Sequence, residues 1–365
     1  MPLLHQIIHE LETFAPLPYQ EHYDNSGLLT GNPSMEITGA ILTLDCIEAS
    51  IDEAIAKNCN LIIAHHPIIF SGLKRLTGKT YIERTIIKAI QHQIAIYACH
   101  TNLDNVRAGV NKKIADKIGL VNTSILSPKK SLLKKIVTFV PSSHAEQVRH
   151  QLCEAGAGHI GNYDHCSFTL EGTGTFRGNE NTNPYLGEKG KLSYEKEQRL
   201  ELIYETIHEH QILNALKQTH PYEEVAYDIY NLDNQYQNVG SGMIGELKNP
   251  MSEMAFLTHL KAIFNLKMIK HTPFLNKTIK KVALCGGSGS FLLKQAISSK
   301  SDIYISSDFK YHEYFDAEKH LLIADIGHYE SEQFTPEIFY EIISKKVPTF
   351  ATYLTEIQTN PVNYF

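Results

Sequence analysis

The sequence predicts an α/β domain built from both ends of the chain, with an inserted ferredoxin-like α+β domain between the two parts. In the first and last thirds, short apolar strands alternate with amphipathic helices, which is typical of βαβ units around a largely parallel sheet. The middle third differs, because a glycine-rich stretch and polar turns separate its strands. We place the α/β domain at residues 1–128 and 245–365 and the inserted domain at residues 132–235.

The amino-acid composition excludes several classes of protein. The chain has 365 residues, of which 42% are hydrophobic and 20% charged, so two or three domains can each bury a core of normal size. A net charge of -6 provides no overall basic surface, and nucleic acid is therefore not an expected partner. The sequence shows no membrane-length apolar run, no signal peptide and no CxxC pair among six cysteines. We expect a cytoplasmic protein with free thiols and no membrane contact.

The elements of the first third follow from their patterns. Leu4, Ile7 and Leu11 recur at helical spacing and predict a helix over 4–14. Similar patterns predict three further helices, over 48–57, 81–91 and 106–118. The apolar runs ITGAILTLDC, LIIA and IAIYAC are rich in β-branched residues and predict buried strands over 37–46, 61–64 and 94–99.

The remaining elements are predicted in the same way. In the last third we expect strands over 281–285, 302–306 and 321–326 and helices over 291–298 and 336–345. Residues 286–289 (GGSG) follow the first of these strands as a tight turn, without the Gly-Lys-Ser/Thr ending of a Walker-type phosphate loop. In the middle third we expect strands over 134–140, 199–205 and 226–230 and helices over 144–155 and 208–218, with linkers at 122–130 and 240–242.

Histidines and carboxylates follow three of the predicted strands at the point where each strand ends. They are His65 and His66, then His100 and Asp104, then His328 and Glu332. In open α/β sheets, ligands bind in the crevice at the carboxyl ends of the strands. Imidazole and carboxylate are ligands for divalent Zn, Mn, Fe or Co, and this number of candidates suits two metals that share a bridging carboxylate.

Each element of this set also has a simpler interpretation. The His65-His66 pair is compatible with hydrogen bonding at a strand end, and Asp104 directly precedes a helical pattern that it could cap. Glu332 lies four residues after His328, so one helical turn would place both on the same face. Only the joint occurrence at three strand ends favours a metal site.

The motifs at these positions resemble the Nif-three-like family, whose members are also called GTP cyclohydrolase 1 type 2 homologues. The segments that carry the resemblance are DNSGL (24–28), AHHP (64–67), HTNLD (100–104), SDFKYH (307–312) and GHYESE (327–332). The segments GAGHIGNY (156–163) and HPYEEVAY (220–227) are similar to the CutA/PII-like insertion of the longer members. Tyr23 departs from the Trp that many members carry there.

The resemblance implies a dinuclear metal site with two divalent ions per chain. The matching ligand positions are His65, His66, Asp104, His328 and Glu332. By this analogy Glu332 bridges, His66 and Asp104 complete one site, and His65 and His328 complete the other. It also implies a homo-oligomer, with the family's rings suggesting a hexamer of two trimers.

Other polar residues are candidates for the surroundings of the metals. Asp45 closes a strand and suits either support of a ligating histidine or an N-cap. Four further residues are candidates to line a substrate pocket, namely His100, Asp308, Lys310 and His312. His220, Glu223 and Glu224 superficially form a second metal cluster, but their CutA-like context favours oligomerisation or regulation.

These observations predict a metal-dependent hydrolase that acts on a purine ring, a phosphoester or an amide. The small-molecule substrate and the native metal are left open by the residues. The alternative is a non-catalytic metal-binding protein that serves as a regulatory or oligomeric scaffold.

Overall fold

The computed structural model describes all residues from 1 to 365. The chain divides into two compact units. The first unit combines Met1–Pro128 with Gln237–Phe365, and the second is Lys129–Tyr236. No helix is long and apolar enough to cross a membrane.

Fifteen strands and eleven α-helices make up the two units. The strands, in chain order, are β1 (Gly27–Thr30), β2 (Ala40–Thr43), β3 (Leu61–Ala64), β4 (Ala95–Ala98), β5 (Leu120–Lys129), β6 (Leu133–Pro141), β7 (Phe168–Phe176), β8 (Ser193–Glu205), β9 (Tyr227–Asn231), β10 (Tyr236–Ser252), β11 (Lys270–His271), β12 (Thr278–Ser288), β13 (Ile303–Ser307), β14 (Leu322–Asp325) and β15 (Thr352–Leu354). The helices are α1 (Leu4–Phe14), α2 (Glu48–Ala56), α3 (Tyr81–Gln91), α4 (Thr101–Asn105), α5 (Val110–Ile118), α6 (Ala145–Glu154), α7 (Glu209–Thr219), α8 (Glu253–Phe264), α9 (Leu293–Ser298), α10 (His328–Glu332) and α11 (Thr335–Lys346).

The first unit contains a five-stranded sheet in the order β1-β4-β3-β2-β15. Strands β15, β2, β3 and β4 run parallel, and β1 closes one edge antiparallel to β4. Every residue of β2, β3 and β4 is buried, as their apolar sequences predict for strands covered on both faces. Ile62 and Ile96 of this sheet pack with Ile51 of α2 and Ile86 of α3 in one core.

The first unit also contains a six-stranded sheet in the order β11-β14-β13-β12-β10-β5. Its central strands β12, β13 and β14 are parallel, whereas β10 and β11 pair antiparallel with their neighbours. The mixed α/β class predicted from the sequence is confirmed by this unit. The parallel strands β3, β4 and β14 are the ones that His65, His100 and His328 closely follow.

The two segments predicted as linkers form strands, although the boundary between the two units, after Pro128, falls within the first of them. Residues 122–129 belong to β5, and 240–242 lie inside β10, its neighbour in the sheet. A Cβ at Gly240 would lie only 2.3 Å from the carbonyl oxygen of Ser127. The glycine that suggested a linker is therefore needed for close contact between two strands that are far apart in sequence.

The second unit has the element order β6-α6-β7-β8-α7-β9 and an antiparallel sheet in the order β7-β8-β6-β9. Ile136 of β6 and Leu200 and Leu202 of β8 share a core with Val148 of α6 and Ile212 of α7. Both helices thus cover the same face of the sheet. Strand β7 lies in the glycine-rich stretch that the sequence analysis had left without a strand.

Candidate metal centre

A strand end and two short helices position the five candidate ligands. His65 and His66 directly follow β3, and Asp104 lies in α4, which follows β4. Helix α10 begins at His328 and ends at Glu332, so this single turn places both side chains on one face. Asp104 does not cap the helix that follows it. The N-cap of α5 is Gly109, and no side chain makes a capping hydrogen bond there.

The other four candidate side chains converge on the buried carboxylate of Glu332. Its Oε2 lies 3.1 Å from His66 Nε2 and 3.2 Å from His328 Nε2. Its Oε1 lies 3.9 Å from His65 Nε2, which in turn lies 3.5 Å from Asp104 Oδ1. Two groups of potential ligands contain Glu332, one with His65 and Asp104 and the other with His66 and His328, and a third group at the same site joins His65, His66 and His100.

This grouping differs from the one that the family resemblance implied. His65 shares a group with Asp104, and His66 shares the other with His328. The reason is that His66 and His328 approach the same oxygen of Glu332, with their Nε2 atoms 3.4 Å apart. Sequence could not decide the pairing, because it depends on the direction in which each ring leaves its strand.

The three imidazoles are oriented by hydrogen bonds on the far side of each ring. In each case Nδ1 donates to an oxygen: His65 to the Cys99 carbonyl at 2.9 Å, His66 to Asp45 Oδ1 at 2.7 Å and His328 to Asp308 Oδ2 at 2.6 Å. Partners of this kind fix the ring and direct Nε2 toward a metal in metalloproteins. Of the two roles considered for Asp45, support of a histidine is the one that the contacts favour.

Two buried polar atoms at this site make no hydrogen bond. They are His65 Nε2 and Asp104 Oδ1, which face each other. Buried polar atoms are nearly always paired, so an unpaired nitrogen and oxygen in contact distance call for a missing partner. A cation satisfies both at once, and the set of imidazole and carboxylate donors therefore fits divalent metals.

The pKa values of the buried side chains also favour a bound cation. Burial lowers the pKa of His65 to about 4, which keeps its imidazole neutral. Burial and the charge of Glu332 raise the pKa of Asp104 well above its usual range. The carboxylates of Asp104 and Glu332 lie close together in a buried site, so both can be ionised only if positive charge lies near them.

The pKa values of the other two histidines are raised. Burial lowers the pKa of His66, but hydrogen bonds to Asp45 and Glu332 outweigh it and raise that pKa to about 9. Burial also opposes the charged form of His328, yet Asp308 and Glu332 raise its pKa to about 11. Protons on these rings supply the compensating charge when no metal is bound.

Gly287, one of the glycines of the turn predicted at 286–289, makes room for the site. It lies in β12 with φ of 61°, and a Cβ on it would be 2.4 Å from Glu332 Oε1 and 3.3 Å from His328 Nε2. Its N–H donates to Ser331 Oγ at 2.9 Å. The glycine-rich turn predicted at 286–289 is thus partly strand, and its function is close approach to the ligands. The pattern Gly-Gly after an apolar strand was the available signal.

A cavity of about 740 Å³ opens beside Glu332. Of the predicted pocket residues, Asp45, His100 and Asp308 line it. Lys310 and His312 are exposed and lie outside this lining. The cation on the cavity wall is instead Lys270, which pairs with Asp325 at 3.0 Å.

His100 has its own carboxylate partner in this cavity. Its Nδ1 donates to Asp24 Oδ1 at 2.7 Å, and the Thr101 N–H donates to Asp24 Oδ2 at 3.0 Å. Its ring centroid lies 5.2 Å from that of His65 and 5.3 Å from that of His66. His100 is therefore held beside the metal ligands by a fixed carboxylate.

The Duf34/NIF3 family (NGG1p interacting factor 3) matches residues 2–361 of the sequence. The chain belongs to the Duf34/NIF3 family. The resemblance drawn from the motifs is thereby confirmed.

Individual relatives agree with this membership. A GTP cyclohydrolase 1 type 2 homolog of Bacillus subtilis (strain 168) is 37% identical over 369 residues, which cover 98% of this chain and 98% of the relative. A protein of the same name from Halalkalibacterium halodurans is 40% identical over 324 residues, covering 88% of this chain and 87% of the relative. The crystal structure of a Bacillus cereus protein related to NIF3 superimposes with a TM-score of 0.85 at 37% identity, over 100% of this chain and 99% of that one.

Proposed function

We propose that this Duf34/NIF3 chain is a hydrolase that works with two divalent metal ions. The observation that supports this most strongly is the convergence of three Nε2 atoms, each oriented through Nδ1, on the carboxylate of Glu332. His65 and Asp104 would hold one ion and His66 and His328 the other, with Glu332 available to both. The donors suit Zn, Mn, Fe or Co.

Two divalent ions in such a site supply Lewis-acid chemistry, which polarises an electrophilic carbon or phosphorus and lowers the pKa of water. The chain's own residues prepare this chemistry. Asp45 and Asp308 hold the ligand rings in place, and Gly287 leaves the space that Glu332 occupies.

His100 is the proton-transfer group of the proposed reaction. Its Nδ1 is engaged by Asp24, which leaves Nε2 to exchange a proton with a reacting group in the cavity. A histidine oriented by a carboxylate is a common general acid or base, because the partner fixes the tautomer and stabilises the charged ring.

Three substrate classes remain open: a purine ring, a phosphoester and an amide. The name of the relatives, GTP cyclohydrolase 1 type 2 homolog, makes opening of the purine ring of GTP the first candidate. The cavity volume of about 740 Å³ falls within the range of small-molecule sites. Tyr23, Phe70 and Tyr329 offer aromatic surface for a flat ring, and Lys270 offers positive charge.

The test is metal-dependent turnover. Purified protein loaded separately with Zn, Mn, Co and Fe(II) is assayed with GTP, phosphodiesters and cyclic amides. We expect activity with at least one metal and substrate class, and its loss in Glu332→Gln with the fold retained. Absence of turnover in every combination, with two metals bound, would favour the non-catalytic scaffold.

The scaffold alternative has its own support in the second unit. Leu170 and Phe168 of β7 and Tyr230 of β9 lie on the sheet face that the helices leave open, and their exposed fractions are 49%, 59% and 49%. Exposed apolar groups on one face are typical of interaction surfaces. We propose that this unit is a ferredoxin-like, CutA/PII-like domain that joins subunits into a hexamer of two trimers.

A cytoplasmic location is also part of this proposal. All six cysteines are free, and five of them are buried. Proteins of oxidising compartments commonly use their cysteines in disulfides, whereas reducing compartments keep them as thiols.

A further inference from the structure

A second group of potential metal ligands lies in the Lys129–Tyr236 unit. It consists of His150, Glu154 and His165, whose ligand atoms all lie within 4.8 Å of one another. His150 and Glu154 are one helical turn apart on α6, so their side chains share a face. His165 comes from the turn before β7, and all three side chains are exposed.

The His165 ring is oriented between two carboxylates. Its Nε2 lies 3.5 Å from Glu154 Oε1, and its Nδ1 lies 3.5 Å from Asp164 Oδ1. One nitrogen thus faces a second potential ligand and the other a carboxylate that could support the ring, as in many metal-ligating histidines. The ring centroid is 5.9 Å from that of His150.

The backbone around His165 is held in an unusual conformation. His165 has φ of 53°, in the left-handed region that few residues other than glycine adopt. Hydrogen bonds from the Cys166 N–H to the Gly158 carbonyl (2.8 Å) and from the Gly158 N–H to the Ile203 carbonyl of β8 (2.7 Å) anchor this turn to the sheet. The turn therefore presents His165 to α6 from a fixed position.

We propose that His150, Glu154 and His165 bind a first-row transition metal ion such as Zn²⁺, with Asp164 orienting His165. A tetrahedral Zn²⁺ with bonds of about 2.0–2.1 Å places its ligand atoms about 3.3 Å apart. The separation between His165 and Glu154 is already close to that value, and the exposed His150 side chain reaches it by a change of rotamer. Three protein ligands leave a fourth position open for water or a further ligand.

The segment 220–224, which the sequence analysis weighed as a second metal cluster, does not offer an equivalent site. Both ring nitrogens of His220 are engaged, Nε2 with the Phe139 carbonyl at 2.9 Å and Nδ1 with the Tyr222 N–H at 3.1 Å. Glu223 accepts from the Asn183 N–H at 2.8 Å. His220 therefore has no lone pair free for a metal.

The test counts zinc in the full-length chain by equilibrium dialysis followed by elemental analysis. His165→Ala and, separately, Glu154→Gln are compared with wild type. His159→Ala is the matched control, because His159 is an exposed histidine of the same turn and is not part of the group. Circular dichroism verifies that each variant is folded.

We expect His165→Ala to bind about one zinc fewer per chain than wild type, and His159→Ala to bind the same number. The measured quantity is the difference in zinc content between wild type and His165→Ala, so the result does not depend on how many metals the Glu332 site holds. Asp164→Asn is expected to weaken the affinity for this one ion by about 10-fold or more. Equal zinc content in wild type and His165→Ala overturns the proposal, and an unchanged affinity in Asp164→Asn overturns the role of Asp164.

Discussion

The Nε2 atom of His65 faces the Oδ1 atom of Asp104 across 3.5 Å, and neither atom makes a hydrogen bond although both are buried. A buried polar group without a partner destabilises a fold by about 1–3 kcal/mol. A cation that both atoms ligate would remove this penalty, so metal binding is expected to stabilise the fold.

Replacement of the shared carboxylate should remove most of the metal. Glu332→Gln keeps the shape of the side chain but removes the charge that faces both ligand groups, so the metal content is expected to fall by more than one ion per chain relative to wild type. Elemental analysis after dialysis measures this. Glu330→Gln, a nearby change outside the two groups, serves as control and should keep both ions. Full metal content in Glu332→Gln would contradict the sharing of this carboxylate.

The space at Gly287 should be as important as the ligands. In Gly287→Ala the new methyl group would lie 2.4 Å from Glu332 Oε1, so we expect loss of metal together with a loss of stability of about 2–4 kcal/mol. Urea unfolding and elemental analysis report the two effects. Gly119→Ala is the control, since Gly119 also has positive φ but nothing within 4 Å of its Cβ position. That variant should lose only about 1 kcal/mol and no metal. Equal behaviour of the two variants would argue against a steric role for Gly287.

Metal binding should release protons. The raised pKa values of His66 and His328, about 9 and 11, mean that both rings are protonated at pH 7 without metal. Metals must displace these protons, so about two protons are released on loading, and affinity rises with pH until the rings are neutral in the free protein. Calorimetry in buffers of different ionisation enthalpy counts them.

Asp45→Asn provides the matched variant for this measurement. Loss of the Asp45 charge removes one of the two interactions that raise the pKa of His66, so fewer protons should be released at pH 7. Absence of proton release in wild type would show that these histidines are neutral before metal binds. Equal proton release in wild type and Asp45→Asn would show that Asp45 does not hold the proton on His66.

His100 should be needed for turnover and dispensable for metal. Its replacement by Ala is expected to leave two metals bound and to lower kcat by about 10²–10⁴-fold, the usual contribution of a general acid or base. Asp24→Asn should give a smaller loss and a shifted pH profile, because Asp24 acts through His100. Loss of a metal in His100→Ala would instead identify His100 as a ligand.

The open sheet face of the second unit should control assembly. We expect light scattering of the wild-type protein to give a mass that is a multiple of three chains. Phe168→Asp places a charge on this face and should lower that mass, while metal content stays the same because no proposed ligand of the Glu332 site lies in this unit. A monomeric wild type at micromolar concentration would rule out the assembly.

Several strands and the candidate ligand residues were predictable from local sequence. The run LIIA was assigned to 61–64 and is β3, and the helix predicted over 81–91 is α3, because buried strands and amphipathic helices have strong local patterns. His65, His328 and Glu332 could be singled out for a related reason. They follow apolar strands, and the carboxyl ends of parallel strands form a common crevice.

Only the tertiary structure decided which ligands share an oxygen of Glu332 and which glycines are required. The pairing of His65 with Asp104 depends on ring directions at two different strand ends, and no local pattern encodes these. Gly240 appeared to mark a linker, yet it lies in β10 where the strand approaches Ser127, more than a hundred residues earlier. Pairing between distant strands and the convergence of side chains from several of them are properties of the packed chain, because they arise from contacts between segments that are remote in sequence.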